Sequence, residues 1–207
     1  MKQKRKIGLL SLFLVLSMLV FTACGQEKKA ANSVIHVGTN AEFPPFEYID
    51  ENGEIAGFDV AVMKAIGEEM GYDVEFTNME FKSLTASLKT GGLDAVAAGM
   101  TITEDRKQSV DFSDGYYEAT QCIVVSKDSP VTAMKDLEGK KIGAQVGTTG
   151  MFRAEKVPGA KVVTFANAAE TFLEFQNGGV DAVIQDFPVV AYYVAQGGNK
   201  GRLVGPK

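Results

Sequence analysis

Three polar residues with the chemistry to bind a carboxylate follow one apolar run of the sequence. Thr101, Thr103 and Arg106 come directly after the apolar segment 93–98. A guanidinium holds a carboxylate through two parallel hydrogen bonds, and threonine hydroxyls and backbone N–H groups add further donors. The alternative interpretation is that Arg106 is a surface arginine in a capped helix.

A second candidate for the same carboxylate lies later in the chain. The segment Gly147-Thr148-Thr149-Gly150 follows a predicted strand at 141–146 and opens a predicted helix. A helix N-terminus offers unpaired N–H groups and the positive end of the helix dipole. We therefore expect Thr148 or Thr149 to form the second half of a carboxylate site.

One acidic and two aromatic residues suit the rest of a zwitterion. Asp186 follows a predicted strand at 180–184 and can accept an ammonium, while Phe43 and Phe81 can supply apolar walls. Two alternatives stay open at this point. Asp186 can be only the N-cap of a helix, and both phenylalanines can be core residues.

The common catalytic and metal-binding motifs are absent from the sequence. It contains no G-x-S-x-G, P-loop or H-E-x-x-H pattern. The single histidine, His36, lies in an apolar strand, which favours a structural role, and Cys122 is predicted to be a buried, inert thiol. A carboxylate-pair hydrolase is compatible with the composition, although no spacing supports it. We expect no cofactor and no metal.

Composition and charge narrow the class of protein further. Hydrophobic residues make up 45% of the chain and charged residues 23%, which is typical of a soluble globular protein. Residues 1–23 contain four basic side chains and no acid, whereas the remainder contains 17 basic and 26 acidic side chains. No basic run follows Lys6, so nucleic-acid binding is disfavoured.

Strand and helix patterns alternate from residue 34 onward. Short β-rich runs are predicted at 34–38, 72–78, 93–98, 121–126, 141–146, 160–165 and 180–184. Helices are predicted at 58–70, at 83–90 with Ser83 as cap, and from Pro188 to about residue 196. This alternation predicts an α/β fold with a mainly parallel sheet and helices on both faces.

A short internal repeat indicates two similar lobes. Residues 88–96 (LKTGGLDAV) and 175–183 (FQNGGVDAV) match at a constant offset. Each copy predicts a helix, a glycine stop and a buried strand. Ligands of open α/β sheets bind beyond the carboxyl ends of strands, so two such edges facing each other would form a cleft. The alternative is a generic helix-to-strand turn within one domain.

The N-terminus has the pattern of a secretory signal. Basic residues 2–6 precede an apolar core at 7–21, which is short for a membrane span. The following Phe-Thr-Ala-Cys-Gly resembles a bacterial lipobox, which implies cleavage before Cys24 and a diacylglycerol on its sulfur. Residues 24–33 then predict a flexible tether to the outer face of the cell membrane.

A larger set of motifs resembles one family, the bacterial extracellular solute-binding proteins for polar amino acids, which are receptors of ABC importers. The matching segments are GTNAEFPPFEY (38–48), GFDV (57–60), GGLDAVAAGMTITEDRKQSVDFSDGYYEA (91–119), KIGAQVGTTG (141–150) and GGVDAVIQDFP (178–188). The resemblance covers essentially all of 34–207. It implies a type II periplasmic-binding-protein clamshell without enzyme activity, with lobe 1 at 34–117 and lobe 2 at 118–207.

The resemblance also implies a role for each site residue. Gly99, Thr101 and Arg106 would hold the α-carboxylate and amino group, with Thr148 or Thr149 completing the carboxylate site and Asp186 taking the ammonium. Phe43 and Phe81 would sandwich the ligand side chain. Asn40, Gln145 and Gln185 occupy positions that contact its end.

The sequence also leads to expectations about the ligand, the partner protein and the oligomeric state. Because Asn40, Gln145 and Gln185 carry neutral amides, glutamine is favoured and arginine comes next. A monomer that closes on the amino acid and docks on a membrane permease is expected. Family members continue past the last strand and return to lobe 1, so a C-terminally truncated chain is also expected. The alternatives are an enzyme of the same fold, such as a cyclic-acid dehydratase, or a non-functional relic.

Overall fold

The computed structural model describes residues 33–195 and 201–205. The predicted signal peptide and lipid attachment at Cys24 lie outside these residues. None of the helices within the described ranges is both long and apolar enough to cross a bilayer.

The first lobe is built on a three-stranded parallel sheet. Its strands are β1 (Ser33–Thr39), β5 (Tyr72–Asn78) and β6 (Ala95–Val96), in the order β5-β1-β6. The helices are α1 (Phe58–Met70) and α2 (Phe81–Lys89), followed by the short α3 (Glu104–Lys107). The core under α2 contains Leu84 and Leu93.

A small antiparallel ribbon that the sequence did not predict joins β1 to α1. It consists of β2 (Glu42–Phe43), β3 (Glu47–Ile49) and β4 (Ile55–Ala56). The first turn of α1 is tied to this ribbon, because Phe58 N donates to Pro45 O and Asp59 N donates to Phe46 O.

The second lobe is built on a five-stranded sheet in the order β11-β7-β10-β8-β9. The strands are β7 (Gln121–Ser126), β8 (Lys141–Gln145), β9 (Lys161–Phe165), β10 (Ala182–Asp186) and β11 (Gly201–Val204). Between them lie a 3-10 turn (Met134–Leu137) and the helices α4 (Thr149–Glu155), α5 (Ala168–Gln176) and α6 (Phe187–Ala195). Apolar cores cover both faces of this sheet.

The α/β prediction and the two lobes are confirmed, with three local corrections. The second sheet is mixed, because β7 runs antiparallel to both β10 and β11. Helix α2 begins at Phe81 and not after Ser83, and its N-cap residue Glu80 makes no capping hydrogen bond with its side chain. The strand predicted at 93–98 is reduced to Ala95–Val96.

The internal repeat has the same structure in both lobes. Gly91 and Gly178 both lie in the left-handed region, with φ of 75° and 77°, and end α2 and α5. Val96 of β6 pairs with Gly38, and Val183 of β10 pairs with Gly143, both in parallel. The lobe boundaries at 117 and 118 stay a prediction. Residues 112–120 connect the lobes without forming a helix or strand.

Candidate functional site

One cavity at the strand ends of the two lobes is lined by all eleven residues that the sequence analysis singled out. They are Asn40, Phe43, Phe81, Gly99, Thr101, Arg106, Gln145, Thr148, Thr149, Gln185 and Asp186. The lining also includes Glu47, Ala98, Gln121 and Gly150. The cavity volume is about 20 Å³, roughly the space of one water molecule, so an amino acid can enter only if the lobes separate. The roles of these residues in binding stay a prediction.

Arg106 reaches both lobes. It lies in α3, whose first turn is capped by the Thr103 hydroxyl, which accepts from Arg106 N at 3.2 Å. Its Nη1 donates to Thr101 O at 2.6 Å, and its Nη2 donates to Gly147 O at 3.0 Å. The guanidinium lies 5.4 Å from the centre of the Phe81 ring. Burial lowers the pKa of Arg106, but a guanidinium stays charged in proteins.

The two threonines after β8 have different hydrogen bonds. Thr148 caps α4, because its hydroxyl accepts from Met151 N at 3.2 Å and donates to Gln145 O at 2.8 Å. The Thr149 hydroxyl accepts from Gln121 Nε2 at 2.8 Å and keeps its own hydrogen as a donor. Thr149 is therefore the better candidate for a carboxylate contact.

Asp186 is the last residue of β10, and α6 begins at the next residue. Its exposure is 9%, and burial raises the pKa of its carboxyl, an effect that a hydrogen bond with Gln121 opposes. A buried carboxylate at the cavity wall is suited to an ammonium group, because the opposite charge compensates its desolvation.

The amide groups join the lobes at another part of the cavity. Gln145 Nε2 donates to Asn40 Oδ1 at 2.8 Å and to Ala166 O at 3.0 Å. Asn40 Nδ2 donates to Met79 O at 3.1 Å. Gln185 Oε1 accepts from Asp186 N at 2.9 Å. These amides therefore present both donors and acceptors near the cavity.

The two phenylalanines are both core residues and cavity walls, the two alternatives that the sequence left open. Phe43 is 8% exposed and stacks on Phe46 with ring centres 5.9 Å apart, and Phe81 is 9% exposed and packs in the first lobe's core. Both nevertheless line the cavity.

Gly99 offers the cavity its carbonyl oxygen and not its N–H. Its N–H donates to Asp59 Oδ2 at 2.7 Å, so only its carbonyl oxygen remains to contact a ligand.

Sequence reasoning missed Gln121 and Glu47 as cavity residues. Gln121 opens β7 and contacts both Thr149 and Asp186. The position of Gln121, a polar residue at the start of an apolar strand, is a weak indication in the sequence that its side chain lies at the site. Glu47 is fully buried, and nothing in the sequence pattern indicates that.

A larger trough of about 880 Å³ lies beside the cavity. One wall is the apolar side of α1, including Val62, Met63 and Ile66, with Leu88 and Val96. The trough shares Gln121, Thr149 and Asp186 with the smaller cavity, but its lining lacks Arg106, Asn40 and Gln145, so only the smaller cavity brings Arg106 together with Asp186 and the amide groups. The smaller cavity is therefore the candidate binding site.

Comparison with known protein families gives one match over most of the chain. The model of bacterial extracellular solute-binding proteins, family 3, matches residues 35–187. A probable histidine-binding protein of Neisseria gonorrhoeae is 41% identical over 199 residues, covering 91% of this chain and 74% of the relative. The arginine-binding extracellular protein ArtP of Bacillus subtilis (strain 168) is 35% identical over 202 residues, covering 93% and 79%.

Solved structures agree in fold. An ancestral arginine-binding protein bound to arginine superposes with a TM-score of 0.81 at 46% identity, covering 84% of this chain and 80% of that one. An ancestral arginine-binding protein bound to glutamine has the same TM-score and identity, with 85% and 80% covered. The ancestral amino-acid-binding protein AncCDT-1, a precursor of cyclohexadienyl dehydratase, has a TM-score of 0.78 at 40% identity, with 84% and 78% covered.

Proposed function

Because this chain belongs to the bacterial extracellular solute-binding proteins of family 3, we propose that it binds a free L-amino acid, arginine first, between its lobes and delivers it to the permease of an ABC importer. The observation that carries the proposal is the convergence of Arg106 from one lobe and Asp186 from the other on one cavity. These opposite charges suit the two charged ends of an amino-acid backbone.

Arg106 and Thr149 receive the α-carboxylate. Arg106 now donates to two neutral carbonyl oxygens. A carboxylate offers the same donors a charge-assisted hydrogen bond, which is roughly twice as strong as a neutral one. Asp186 and the carbonyl of Gly99 receive the α-ammonium.

The ligand preference from the sequence is revised in favour of arginine. Most of the similar relatives are named for arginine, one is named for histidine and one for glutamine, and ancestral arginine-binding structures hold arginine or glutamine. A planar guanidinium stacks well on aromatic rings such as Phe43 and Phe81, and it donates to amide oxygens such as those of Asn40, Gln145 and Gln185. Glutamine remains the second candidate because the same amides complement its side chain.

Lobe closure couples binding to transport. Arg106 and Asp186 can contact one ligand together only when the cleft is shut, so the ligand binds the closed form more tightly and shifts the population toward it. The hydrogen bonds from Gln145 to Asn40 and from Arg106 to Gly147 join the lobes in the closed form. The permease then recognises the closed surface.

Binding without turnover is also part of the proposal. The dehydratase precursor that this fold resembles is itself described as an amino-acid-binding protein, so the likeness supports binding. A chemical change of any bound amino acid would contradict this part.

The proposed location is the outer face of the cell membrane, where a diacyl group on Cys24 anchors a monomer. Mass spectrometry of the membrane-bound wild type should find a mature chain that begins at Cys24 and carries the lipid, and Cys24→Ser should lack both the lipid and this cleavage. A membrane-bound wild-type protein without lipid on Cys24 would contradict the anchor.

Calorimetric titration with each of the twenty amino acids tests the proposed function. We expect arginine to bind most tightly, and Arg106→Ala to weaken it by about 2–5 kcal/mol, roughly 30- to 4,000-fold. Lys161→Ala removes an exposed positive charge from β9, away from both cavities, and serves as the charge-matched control. Unchanged affinity in Arg106→Ala, or no binding of any amino acid, would refute the proposal.

A further inference from the structure

Two buried carboxyl groups lie beneath the candidate site. Glu47 in β3 is 0% exposed, and Asp59 in the first turn of α1 is 1% exposed. Their side chains are within hydrogen-bonding reach of each other. Glu47 also lines the cavity.

The groups around this pair satisfy only one of its four oxygens. Asp59 Oδ2 accepts from Gly99 N at 2.7 Å and from the Tyr116 hydroxyl at 2.8 Å. Asp59 Oδ1 and both oxygens of Glu47 have no donor among the described residues. Three unpaired, buried acceptors of this kind are rare in folded proteins and call for a physical explanation.

Within residues 33–195 and 201–205, no positive charge compensates the pair. The ion pairs of the described residues are His36–Glu75, Lys82–Glu80 and Lys107–Glu104, and none includes Glu47 or Asp59. In the ribbon, Glu47 is paired with Phe43, whereas Tyr48 is paired with Glu42 and so lies with it on the opposite face. The other charged groups of α1 are exposed, namely Lys64, Glu68 and Glu69. Tyr116, on the connecting segment, is the remaining titratable neighbour.

A single proton relieves both problems. If Glu47 is protonated, its O–H becomes a donor to Asp59, so at most one of the three acceptors stays unpaired, and the pair carries one negative charge in place of two. Burial and then the charge of Asp59 raise the pKa of Glu47 well above its usual range. Burial also raises the pKa of Asp59, but the hydrogen bonds from Gly99 and Tyr116 oppose that shift, so the proton resides on Glu47.

We propose that Glu47 and Asp59 share one proton at neutral pH, and that this pair positions Gly99 at the binding site and Tyr116 on the segment that connects the lobes. Asp59 would thereby link two segments. One is the stretch after β6 that contains Gly99 and leads to Thr101 and Arg106, and the other is the connecting segment 112–120, on which motion of the lobes depends. Glu47 and Asp59 are then positioning residues, which act on the site through Gly99 and Tyr116. The shared proton is independent of the proposed function, while the positioning role rests on it.

Infrared spectroscopy of the full chain tests the proton directly. Glu47 is the only buried glutamate among the described residues, so labelling glutamate with ¹³C should shift its band and leave aspartate bands in place. We expect a ¹³C-shifted carboxylic-acid C=O band at pH 7 in the wild type and its loss in Glu47→Gln. Absence of a protonated glutamate at pH 7 in the wild type would overturn the proposal.

Arginine titration tests the positioning role. Glu47→Ala should weaken binding by about 2- to 30-fold, the range for residues that act without ligand contact, and Glu47→Gln should restore most of it because its amide can donate to Asp59. Glu54→Gln, at an exposed position of the same ribbon, is the matched control. If Glu47→Ala does not fold, Tyr116→Phe removes one donor to Asp59 and should weaken binding within the same range.

The outcomes separate the two proposals. Wild-type affinity in both Glu47→Ala and Tyr116→Phe would overturn the positioning role. If no amino acid binds the wild type, the positioning role fails together with the proposed function, and the infrared band still decides whether the proton is shared.

Discussion

Replacing Gly99 by alanine should damage the binding site more than the same change at a matched glycine. Gly99 has a φ of 52°, and an added Cβ would lie 2.9 Å from Phe43 Cε1 and 3.1 Å from Phe43 Cδ1. The Phe43 ring is 8% exposed and stacked on Phe46, so it has little room to move away. The substitution therefore combines backbone strain with steric overlap at a wall of the cavity.

Gly91 is the control because it separates these two effects. It has a φ of 75°, and an added Cβ would meet nothing within 4 Å. Left-handed backbone should destabilise either alanine variant by about 1–2 kcal/mol. Overpacking against Phe43 should add about 1–3 kcal/mol in Gly99→Ala alone.

Urea unfolding and arginine titration of both variants measure the difference. We expect Gly91→Ala to keep wild-type affinity and Gly99→Ala to lose roughly 5- to 150-fold, which corresponds to about 1–3 kcal/mol. Adding Phe43→Leu to Gly99→Ala should recover part of the lost stability, as a double-mutant cycle would reveal. Equal destabilisation in the two glycine variants, with equal affinities, would refute the steric argument.

Three further predictions concern a helix cap, a thiol and a proton. Thr148→Ala should lower the free energy of unfolding by about 1 kcal/mol through loss of the α4 cap, whereas Thr148→Ser should stay near the wild type in urea unfolding. Burial raises the pKa of Cys122 to about 12, so its thiol is protonated and unreactive at pH 8. In a Cys24→Ser background, iodoacetamide at pH 8 should therefore label Cys122 only after unfolding. Rapid labelling of the native protein would contradict this prediction. The folded protein keeps a proton on Glu47 that the unfolded chain releases near pH 4.3. The free energy of unfolding of the wild type should therefore fall relative to that of Glu47→Gln as pH rises from there toward the raised pKa, by up to about 1.4 kcal/mol per pH unit. Parallel pH profiles of the two proteins would contradict this prediction.

Local patterns were sufficient for most of the helices and strands and for part of the cavity lining, whereas Asn40, Gly99, Gln145 and Gln185 were named only through the family resemblance. The helix predicted at 58–70 has these bounds in the structure because a regular apolar period is followed by Gly71, whose φ of 75° ends it. Thr101, Arg106, Thr149 and Asp186 were predicted to meet because polar residues that follow buried strands come together at one edge of a sheet. Both signals depend on neighbours in the chain, and a sequence displays those directly.

Contacts between distant segments decided the rest. Two of these features join residues that are far apart in the chain, namely the antiparallel pairing of β7 and the hydrogen bond from Arg106 to Gly147. A third, the burial of Glu47 against Asp59, depends on the segments that pack over the ribbon. Periodicity shows which face of an element is apolar, but it does not show what covers that face. The apolar period of α1 illustrates this, because Phe58, Ile66 and Met70 are 43%, 41% and 60% exposed. The chain alone thus determined most of the polar and aromatic residues that line the cavity, while tertiary packing decided their hydrogen bonds, their charges and how the two lobes meet.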